Sequence, residues 1–424
     1  MTRRYMKRIY DQVLKERLEA KGAVLVEGPK WCGKTSTAEQ IASSAIYLQD
    51  PSSRTQNLRM AEMDPARLLQ GSVPRLIDEW QDAPNLWDAV RFEVDHRDDF
   101  GQFILTGSSV PADLNALHHT GTGRIARMKM RTMSLAESGD STGEASLSAL
   151  FQGEQTTAQG RRTDIRELAF LLCRGGWPRA VGTSEKVALR QVVDYLDAVC
   201  EIDISRVDGV RRNPAHVRML LRSYARMISS QGTLAAMQMD LRSAGIEMSE
   251  STFLEYTEAL RKLFVIEDLS AWNPNLRSKV AIRTSPTRHL CDPSIAAAAL
   301  ETGPDELVDD LETFGLLFES MCVRDLRVYA DALDGTVFHY RDKLGLECDA
   351  VVHLRNGRYG LIEIKLGGES LIAQGASTLQ ALAQKIDTTK MRAPSFLMVL
   401  TGTGDFAYAR EDGVWVVPIC ALGA

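Results

Sequence analysis

The pattern of apolar and polar positions differs between segments of the chain. Apolar residues at positions 9, 13, 14 and 18 recur at helical spacing, which predicts an amphipathic helix within residues 1–21. Short apolar runs at residues 23–27, 45–48 and 103–105 predict strands, and a helical pattern covers residues 56–69. Strands that alternate with helices are typical of a parallel sheet. We therefore predict an α/β fold with a parallel sheet for the first third of the chain.

Beyond residue 137 the patterns predict a helical region and then a second α/β region. Residues 138–159 are rich in Gly, Ser, Thr and Glu, so we expect a loose connector there. The predicted helices cover residues 164–173, 187–199, 214–228, 234–243, 250–263 and 314–326. The predicted strands cover residues 264–269, 337–341, 347–352 and 360–365.

A glycine-rich sequence follows the first predicted strand. Residues 28–35, Gly-Pro-Lys-Trp-Cys-Gly-Lys-Thr, fit the pattern G-x-x-x-x-G-K-[ST]. Gly28 and Gly33 let the backbone curl so that its N–H groups face phosphates, Lys34 reaches the β- and γ-oxygens, and Thr35 would hold Mg²⁺. The predicted ATP contacts are Gly28, Pro29, Lys30, Trp31, Cys32, Gly33, Lys34, Thr35 and Ser36. This sequence therefore predicts a site for a nucleoside triphosphate.

Two further strand ends carry polar side chains that suit the same chemistry. The run at residues 73–79 ends in Asp78 and Glu79, which has the form of a Walker B motif. We predict that Asp78 binds Mg²⁺ and that Glu79 polarises the water that attacks the γ-phosphate. The strand at residues 103–105 runs into a turn rich in hydroxyl groups, where Thr106 or Ser108 would sense the γ-phosphate. A solvated strand end and an ordinary turn are the alternatives.

Composition limits the class of protein. The chain has 424 residues, 44% hydrophobic and 25% charged, which is ordinary for a soluble protein with several cores. No apolar run approaches membrane-spanning length, and no apolar segment follows the basic N-terminus, so we expect a cytoplasmic protein without a membrane partner. Seven scattered cysteines without a C-x-x-C pair predict buried, inert thiols. The net charge of −6 does not by itself indicate a nucleic-acid binder.

The order of the motifs resembles that of a family of prokaryotic ATPases, in which an AAA+-like P-loop domain is joined to a C-terminal domain similar to PD-(D/E)XK nucleases. The resemblance rests on residues 28–35, 78–84, 105–109, 123–125, 134–137 and 175–178. It implies that Arg124 meets the γ-phosphate, from a neighbouring subunit of a homo-oligomer, and that a helical lid lies near residues 160–210. A surface salt bridge is the alternative for Arg124.

A basic stripe marks the middle of the chain. Arg218, Arg222 and Arg226 recur every four residues on one predicted helix, and basic residues also occur at positions 277, 279, 283 and 288. The order of helices and strand is similar to a winged helix-turn-helix, in which the third helix enters the major groove of DNA. A solvated helix face and a protein-binding module are the alternatives.

The C-terminal region carries a third constellation. Asp349 lies fourteen residues before Glu363-Ile364-Lys365, which has the D…E-x-K form of a PD-(D/E)XK site. Asp349, Glu363 and the carbonyl of Ile364 would hold Mg²⁺, and Lys365 would orient or deprotonate the attacking water. Glu319 on the preceding predicted helix would add a carboxylate. Two exposed strand charges, or a related fold used only for binding, are the alternatives.

Together these features predict an AAA+-like P-loop ATPase domain (residues 1–137), a helical lid (160–210), a winged-helix-like domain (211–288) and a PD-(D/E)XK-like domain (305–424). We expect a cytoplasmic enzyme that uses ATP and Mg²⁺ and acts on DNA. The alternative is a nucleotide-switched binding protein whose C-terminal domain only docks. Glu79 separates the two, because a pure switch needs no carboxylate to polarise water.

Overall fold

The computed structural model describes residues 5–97, 99–109, 120–274 and 285–424. The chain divides into two compact units. Unit 1 comprises Met1–Thr132, Glu201–Arg212 and Glu255–Val265, and unit 2 comprises Met133–Cys200, Asn213–Leu254 and Ile266–Ala424. Each unit is therefore assembled from segments that are distant in sequence.

Unit 1 is built on a five-stranded sheet in the order β2-β3-β4-β1-β5, and all of its strand pairs are parallel. The strands are β1 (Ala23–Glu27), β2 (Ser44–Tyr47), β3 (Arg75–Asp78), β4 (Phe103–Gly107) and β5 (Ile125–Lys129). The central strands β1 and β4 are almost wholly buried, as in sheets covered on both faces. The predicted parallel α/β sheet is confirmed.

In the described part of the first 132 residues, the α-helices are α1 (Ile9–Ala20), α2 (Lys34–Glu39), α3 (Arg54–Met63), α4 (Pro65–Leu68) and α5 (Leu86–Arg97). The prediction of one helix over residues 56–69 is wrong, because the chain leaves the helical conformation at Asp64, immediately before Pro65. Proline clashes with a helical residue before it and lacks the N–H that would continue the helix. Trp80 and Trp87 pack against each other in the core of the sheet, with ring centroids 4.9 Å apart.

Unit 2 contains a seven-stranded mixed sheet in the order β7-β12-β13-β11-β10-β9-β8. Its strands are β7 (Ala158–Gln159), β8 (Gly335–Arg341), β9 (Glu347–Leu354), β10 (Tyr359–Lys365), β11 (Phe396–Thr401), β12 (Phe406–Ala409) and β13 (Trp415–Pro418). Strand β10 is antiparallel to β9 and parallel to β11. A separate two-stranded sheet pairs β6 (Ala145–Ser146) with β14 (Leu422–Gly423).

The prediction of a loose connector at residues 138–159 is wrong. This segment contains β6, helix α7 (Leu147–Gln152) and β7, and both strands pair with C-terminal strands of unit 2. Its short polar side chains make local bonds: the Ser146 side chain caps α7, and the Thr142 hydroxyl donates to the Gln159 carbonyl. Hydroxyl residues favour caps and turns, so the same composition can build ordered structure when the backbone has partners.

The other α-helices of the described residues are α6 (Leu135–Ser138), α8 (Ile165–Arg174), α9 (Glu185–Ala198), α10 (Ile204–Arg206), α11 (Pro214–Arg226), α12 (Leu234–Ser243), α13 (Glu250–Lys262), α14 (Pro293–Leu300), α15 (Pro304–Asp309), α16 (Leu311–Asp331) and α17 (Glu369–Lys385). Helices α8, α9, α11, α12, α13 and α16 correspond to predicted helical segments, although α16 is longer than predicted, and the other five were not predicted. The predicted strand at residues 264–269 is wrong, since this segment makes only isolated bridges at Ile266 and Leu269. Positions 277, 279 and 283 of the predicted basic wing lie outside the described residues.

A buried charge network holds the helices of unit 2 together. Arg324 on α16 is 2% exposed and lies between the carboxylates of Asp292 and Asp325, which are fully buried. Asp292 also accepts the Gly176 backbone N–H, and Asp325 accepts that of Leu135. A buried charge is stable only when it is paired and hydrogen-bonded. The network therefore fixes the position of the turn at Gly175 and Gly176.

Two expectations about the whole chain can be compared with the structure. All seven cysteines carry buried thiols, as expected from their scattered positions. In the described part of the chain, no helix combines the length and the apolar character needed to cross a bilayer.

Candidate functional site

The glycine-rich loop joins β1 to α2 at the carboxyl end of the parallel sheet of unit 1. A side chain at Gly28 would place its Cβ 2.1 Å from the Met130 carbonyl oxygen, so only glycine fits there. Gly33 has a φ of 103°, a conformation that glycine adopts without strain. The Cys32 side chain is buried, and its sulfur lies 3.6 Å from the Met130 carbonyl oxygen.

The two lysines of the loop have different partners. The Lys34 ammonium is 3.0 Å from the Gly28 carbonyl oxygen and 2.8 Å from that of Pro29, so its charge is aimed into the loop. The Lys30 ammonium is instead 2.6 Å from the Asp203 carboxylate, in the segment 201–212 that packs with unit 1. Lys34 is therefore the lysine available to phosphates. Asp203 carried no signal in the sequence, because 173 residues separate it from Lys30.

Of the remaining predicted contacts, Trp31 and Ser36 lie at the surface, whereas Pro29 is buried. The Trp31 side chain is 53% exposed and its backbone has a φ of 66°. The Ser36 side chain is also exposed, on the first turn of α2. Pro29 contributes the carbonyl that accepts from Lys34. The structure thus places the nine predicted contact residues on one continuous loop and helix start, with different directions for their side chains.

Asp78, at the end of β3, connects the start of α2 with the end of β4. The hydroxyl groups of Thr35 and Thr106 each donate to Asp78 Oδ1, and both distances are 2.7 Å. Burial raises the pKa of Asp78, and the bonds from Thr106 and Thr35 lower it. A hydroxyl beside a carboxylate at the end of a P-loop is a set of oxygen ligands that fits Mg²⁺.

Glu79 follows Asp78 in a left-handed conformation with a φ of 56°, which turns its side chain away from the strand direction. Its backbone N–H donates to the Thr106 hydroxyl at 3.1 Å, and its carboxylate accepts from the Ser108 hydroxyl at 2.8 Å. Gln81 donates a further hydrogen bond to this carboxylate. Thr106 and Ser108 therefore both belong to the site. The sequence analysis missed Gln81, which only the tight turn brings back to Glu79.

Arg124 lies at the other end of the sheet. It immediately precedes β5, which runs parallel to β1, and its carbonyl accepts the N–H of Ala23 at the start of β1. The P-loop follows the far end of β1, roughly 16 Å away at about 3.3 Å per residue. The Arg124 side chain is 48% exposed and bonds to Asp95 at 2.7 Å. Arg124 therefore cannot meet phosphates bound to the P-loop of its own chain.

A second cluster lies in unit 2, on the neighbouring strands β9 and β10. The Lys365 ammonium is 3.2 Å from Asp349 Oδ2 and 2.8 Å from Glu363 Oε2. The backbone N–H of Ile364 donates to the same Asp349 oxygen at 2.7 Å. The three residues of the predicted D…E-x-K pattern are thus brought together, with the lysine between the carboxylates.

The electrostatics of this cluster are unusual for a protein surface. Burial, and then the nearby Asp349, raise the pKa of Glu363 to about 7, although Lys365 opposes the shift. Burial and the same Asp349 charge raise the pKa of the half-buried Glu319 well above its usual range. In the described ranges, no three or more Asp, Glu, His or Cys side chains are arranged to hold a metal ion. The ammonium of Lys365 occupies the position between the carboxylates that a cation would take.

The predicted basic stripe on α11 is neutralised by acidic neighbours within unit 2. Arg218 pairs with Asp197 at 2.8 Å, Arg222 with Glu301 at 3.3 Å and Arg226 with Asp240 at 2.9 Å. Arg288 is buried and pairs with Asp268 at 2.8 Å. The exposed positions of α13 include Glu250, Glu255 and Glu258. Acidic side chains on this helix would repel DNA phosphates, so the described residues of this region give no electrostatic support for DNA contact.

Comparisons with known proteins bear on the N-terminal region. A family model described as an AAA domain matches residues 20–139. This part of the chain is similar to that family. The match confirms the prediction of an N-terminal P-loop ATPase domain and supports nucleotide binding and hydrolysis. Two models described as domains of unknown function, DUF8612 and DUF4143, match residues 165–306 and 314–422.

Solved structures and curated proteins add little to this. The Walker-type ATPase paby2304 of Pyrococcus abyssi is similar to the chain, with 14% identity, 70% coverage of this chain, 96% coverage of that chain and a TM-score of 0.41. The Hef helicase domain of Pyrococcus furiosus has 10% identity, covers 93% of this chain and 89% of its own, and has a TM-score of 0.21. No curated protein matches the chain. Both TM-scores are below 0.5, so neither structure indicates a function for this chain.

The contrast between Lys34 and Lys30 gives a test of the P-loop. We expect Lys34→Met to weaken ATP binding at least about tenfold, because it removes the charge that is aimed into the loop. Lys30→Met should weaken it by less than about threefold, because Lys30 already pairs with Asp203. Titration with a fluorescent ATP analogue measures both affinities. Equal losses in the two variants would contradict the assignment of Lys34.

Proposed function

We propose that the chain hydrolyses ATP with Mg²⁺, and that residues 28–36, Asp78, Glu79, Thr106 and Ser108 form the hydrolytic site. The observation that carries this proposal is the 2.7 Å bond from Thr35 to Asp78, with Glu79 next in the chain and held by Ser108. This bond supports a single site built from the P-loop, the carboxylates after β3 and the hydroxyl groups after β4. The domain limits predicted from the sequence remain part of the proposal.

Each group in the site has a defined task. Lys34 offsets the charge of the β- and γ-phosphates, and Thr35 and Asp78 would hold Mg²⁺, which when bound offsets charge on the same oxygens. Glu79 accepts a hydrogen bond from the attacking water and orients it. Ser108 and Gln81 fix the direction of the Glu79 carboxylate. Thr106 fixes Asp78 and the Glu79 backbone, so that both carboxylates keep their positions.

The alternative is a nucleotide-switched binding protein with little turnover. The hydrogen bonds from Ser108 and Gln81 to Glu79 favour the hydrolase, because a switch gains nothing from an oriented carboxylate next to the metal ligand. Steady-state release of phosphate, measured with and without DNA, tests the two functions directly. A protein that binds ATP tightly but releases no phosphate above a Lys34→Met background would be the switch.

Glu79→Gln tests the proposed base. The substitution keeps the size and hydrogen-bonding shape of the side chain but removes its basicity. ATP should therefore still bind, while the turnover rate falls roughly 10²-fold or more. Asp82→Asn is the matched control, because Asp82 lies on the same turn and pairs only weakly with Arg54, at 3.7 Å. It should keep nearly full activity. Equal turnover in Glu79→Gln and in the unmodified chain would assign the base to another group.

Arg124 belongs to the proposal only as a residue that acts on a neighbouring copy of the chain. Its position at the far end of the sheet excludes its own P-loop, and its partially exposed side chain pairs with Asp95 at a surface. An exposed ion pair of this kind contributes little to stability, so the arginine can exchange its partner at low cost. We therefore propose a homo-oligomer in which Arg124 of one subunit completes the site of the next.

Mixing two inactive variants tests this arrangement. Arg124→Ala should lower turnover roughly 10³-fold, because it removes the arginine finger. Arg127→Ala, on the strand β5 that follows Arg124, should not lower turnover in this way. A mixture of Arg124→Ala and Glu79→Gln chains should be more active than either alone, because some sites combine an intact Glu79 with an intact Arg124. The phosphate release of the mixture is the measurement. Activity equal to the average of the separate variants would remove Arg124 from the mechanism.

A second candidate function is metal-dependent cleavage of nucleic acid by the cluster in unit 2. Its support is the convergence of Asp349, Glu363 and Lys365. Burial, and then the charge of Asp349, raise the pKa values of Glu363 and Glu319, so negative charge at this cluster is costly unless a cation offsets it. A divalent cation would relieve this repulsion and release Lys365 toward a phosphate. DNA contact in our proposal therefore depends on this cluster and not on α11 or α13. A docking module that does not cut nucleic acid is the alternative.

Binding of Mn²⁺ to the full chain tests the second function. Asp349→Asn should weaken Mn²⁺ binding about tenfold or more, and should abolish any cleavage of plasmid DNA, while ATP hydrolysis without DNA stays nearly unchanged. Asp342→Asn is the matched control, because Asp342 lies in the same sheet region but pairs with Lys385 at the surface. Lys365→Ala should stop cleavage and keep metal binding. Metal binding without cleavage of any DNA or RNA would favour the docking module.

A further inference from the structure

Arg8, which precedes the first helix, contacts a backbone carbonyl of the P-loop. It is 6% exposed, and its guanidinium donates to the carbonyl oxygens of Cys32 at 2.7 Å and of Arg131 at 2.9 Å. Cys32 is in the P-loop, and Arg131 follows the edge strand β5. All three residues belong to unit 1. Arg8 therefore joins the loop to the strand beside it.

The bond to Cys32 has a consequence for the next residue. A trans peptide is planar, so the carbonyl of Cys32 and the N–H of Gly33 point in opposite directions. The Cys32 carbonyl is directed at Arg8, and the Gly33 N–H is consequently directed away from it. Gly33 also has a φ of 103°, a region in which glycine has unusual freedom to rotate. A peptide next to such a residue keeps its direction only if something outside the loop holds it.

Neighbouring contacts keep the Arg8 guanidinium in place. Its carbon atom lies 5.7 Å from the centre of the Tyr10 ring, which is fully buried. The Arg8 backbone N–H donates to Asp11 at 3.0 Å. Tyr5 connects the same region to the helix that follows the P-loop, because its hydroxyl donates to Asp11 and lies 2.9 Å from that of Thr37. Residues 5–11 thus brace both the loop and the start of α2.

We propose that Arg8 is a positioning residue for the phosphates of ATP: it fixes the Cys32–Gly33 peptide so that the Gly33 N–H faces the phosphate chain. Arg8 itself does not touch the nucleotide. Arginine suits this task better than lysine, because its planar fork of donors can bind two carbonyls at once and keeps its charge at any ordinary pH. The proposal rests on the proposed ATP site and extends it to a residue outside the P-loop pattern.

The test compares two arginines of the N-terminal segment. Arg8→Met keeps much of the side-chain volume against Tyr10 but removes the donors to Cys32 and Arg131. Arg17→Met is the matched control, since Arg17 on α1 donates to the carbonyl of Arg127 at 2.9 Å, on β5 and away from the P-loop. We expect Arg8→Met to weaken ADP binding roughly tenfold to a hundredfold, the range for a lost hydrogen bond to a charged group. Arg17→Met should bind ADP as the unmodified chain does, and Arg8→Lys should recover part of the affinity.

Steady-state kinetics separate positioning from a purely structural role. A misdirected Gly33 N–H weakens contacts made in both the ground and transition states, so KM for ATP should rise in Arg8→Met while kcat changes little. A variant that is merely less folded would instead lose kcat at unchanged KM, and its far-UV circular dichroism would show the loss.

Unchanged ADP affinity and KM in Arg8→Met would overturn the proposal. If the unmodified chain itself binds no nucleotide, the proposed ATP site fails; if it binds but has no turnover, only hydrolysis fails and ADP binding still tests Arg8.

Discussion

The Asp78 carboxylate is the group on which the nucleotide site depends. It accepts hydrogen bonds from Thr35 in the P-loop and from Thr106 at the end of the adjacent strand. The three motifs meet because parallel strands end at the same edge of a sheet, so residues that follow separate strands become neighbours. Without this carboxylate, the hydroxyl groups of Thr35 and Thr106 would lose their common partner. The order of strands in unit 1 therefore has a direct chemical consequence.

Charge in this protein is arranged mostly in compensated groups. The arginines of α11 have carboxylate partners, Lys30 pairs with Asp203, and Arg324 is enclosed by two aspartates. Such pairing explains how an acidic chain can carry basic stripes without presenting a surface that attracts phosphates. Lys34 is different, because its ammonium donates to the neutral carbonyl groups of Gly28 and Pro29 in the loop. Its charge is thus the one that an anion at the P-loop would meet.

The cluster of unit 2 combines opposite tendencies. Two carboxylates on adjacent strands repel each other, and burial strengthens the repulsion by removing water. Lys365 relieves it in the described structure, which is why Asp349 and Glu363 can lie close together without another cation. The same geometry suits a metal site if the lysine turns to a phosphate, and suits a stable docking surface if it does not. The two proposed functions of this unit differ only in that exchange of partners.

Local patterns in the sequence were sufficient for several conclusions. The P-loop, the carboxylates after β3 and the parallel sheet were predictable, because the glycines, the lysine and the periodicity of apolar residues act over a few neighbouring positions. The helix limits of residues 214–263 were also close to the observed ones. In contrast, the break at Pro65 was available in the sequence and was missed.

Other features depended on contacts between distant parts of the chain. The ion pairs of α11, the approach of Asp203 to Lys30, and the bond from Arg8 to Cys32 join residues that are 14 to 173 positions apart. The ordered segment at residues 138–159 gains its strand partners from the C-terminus. The sequence by itself determined which residues could bind phosphate, because that property is local and chemical. The tertiary structure alone decided which charges remain available and which end of the sheet each residue occupies, because both depend on how the strands are ordered and paired.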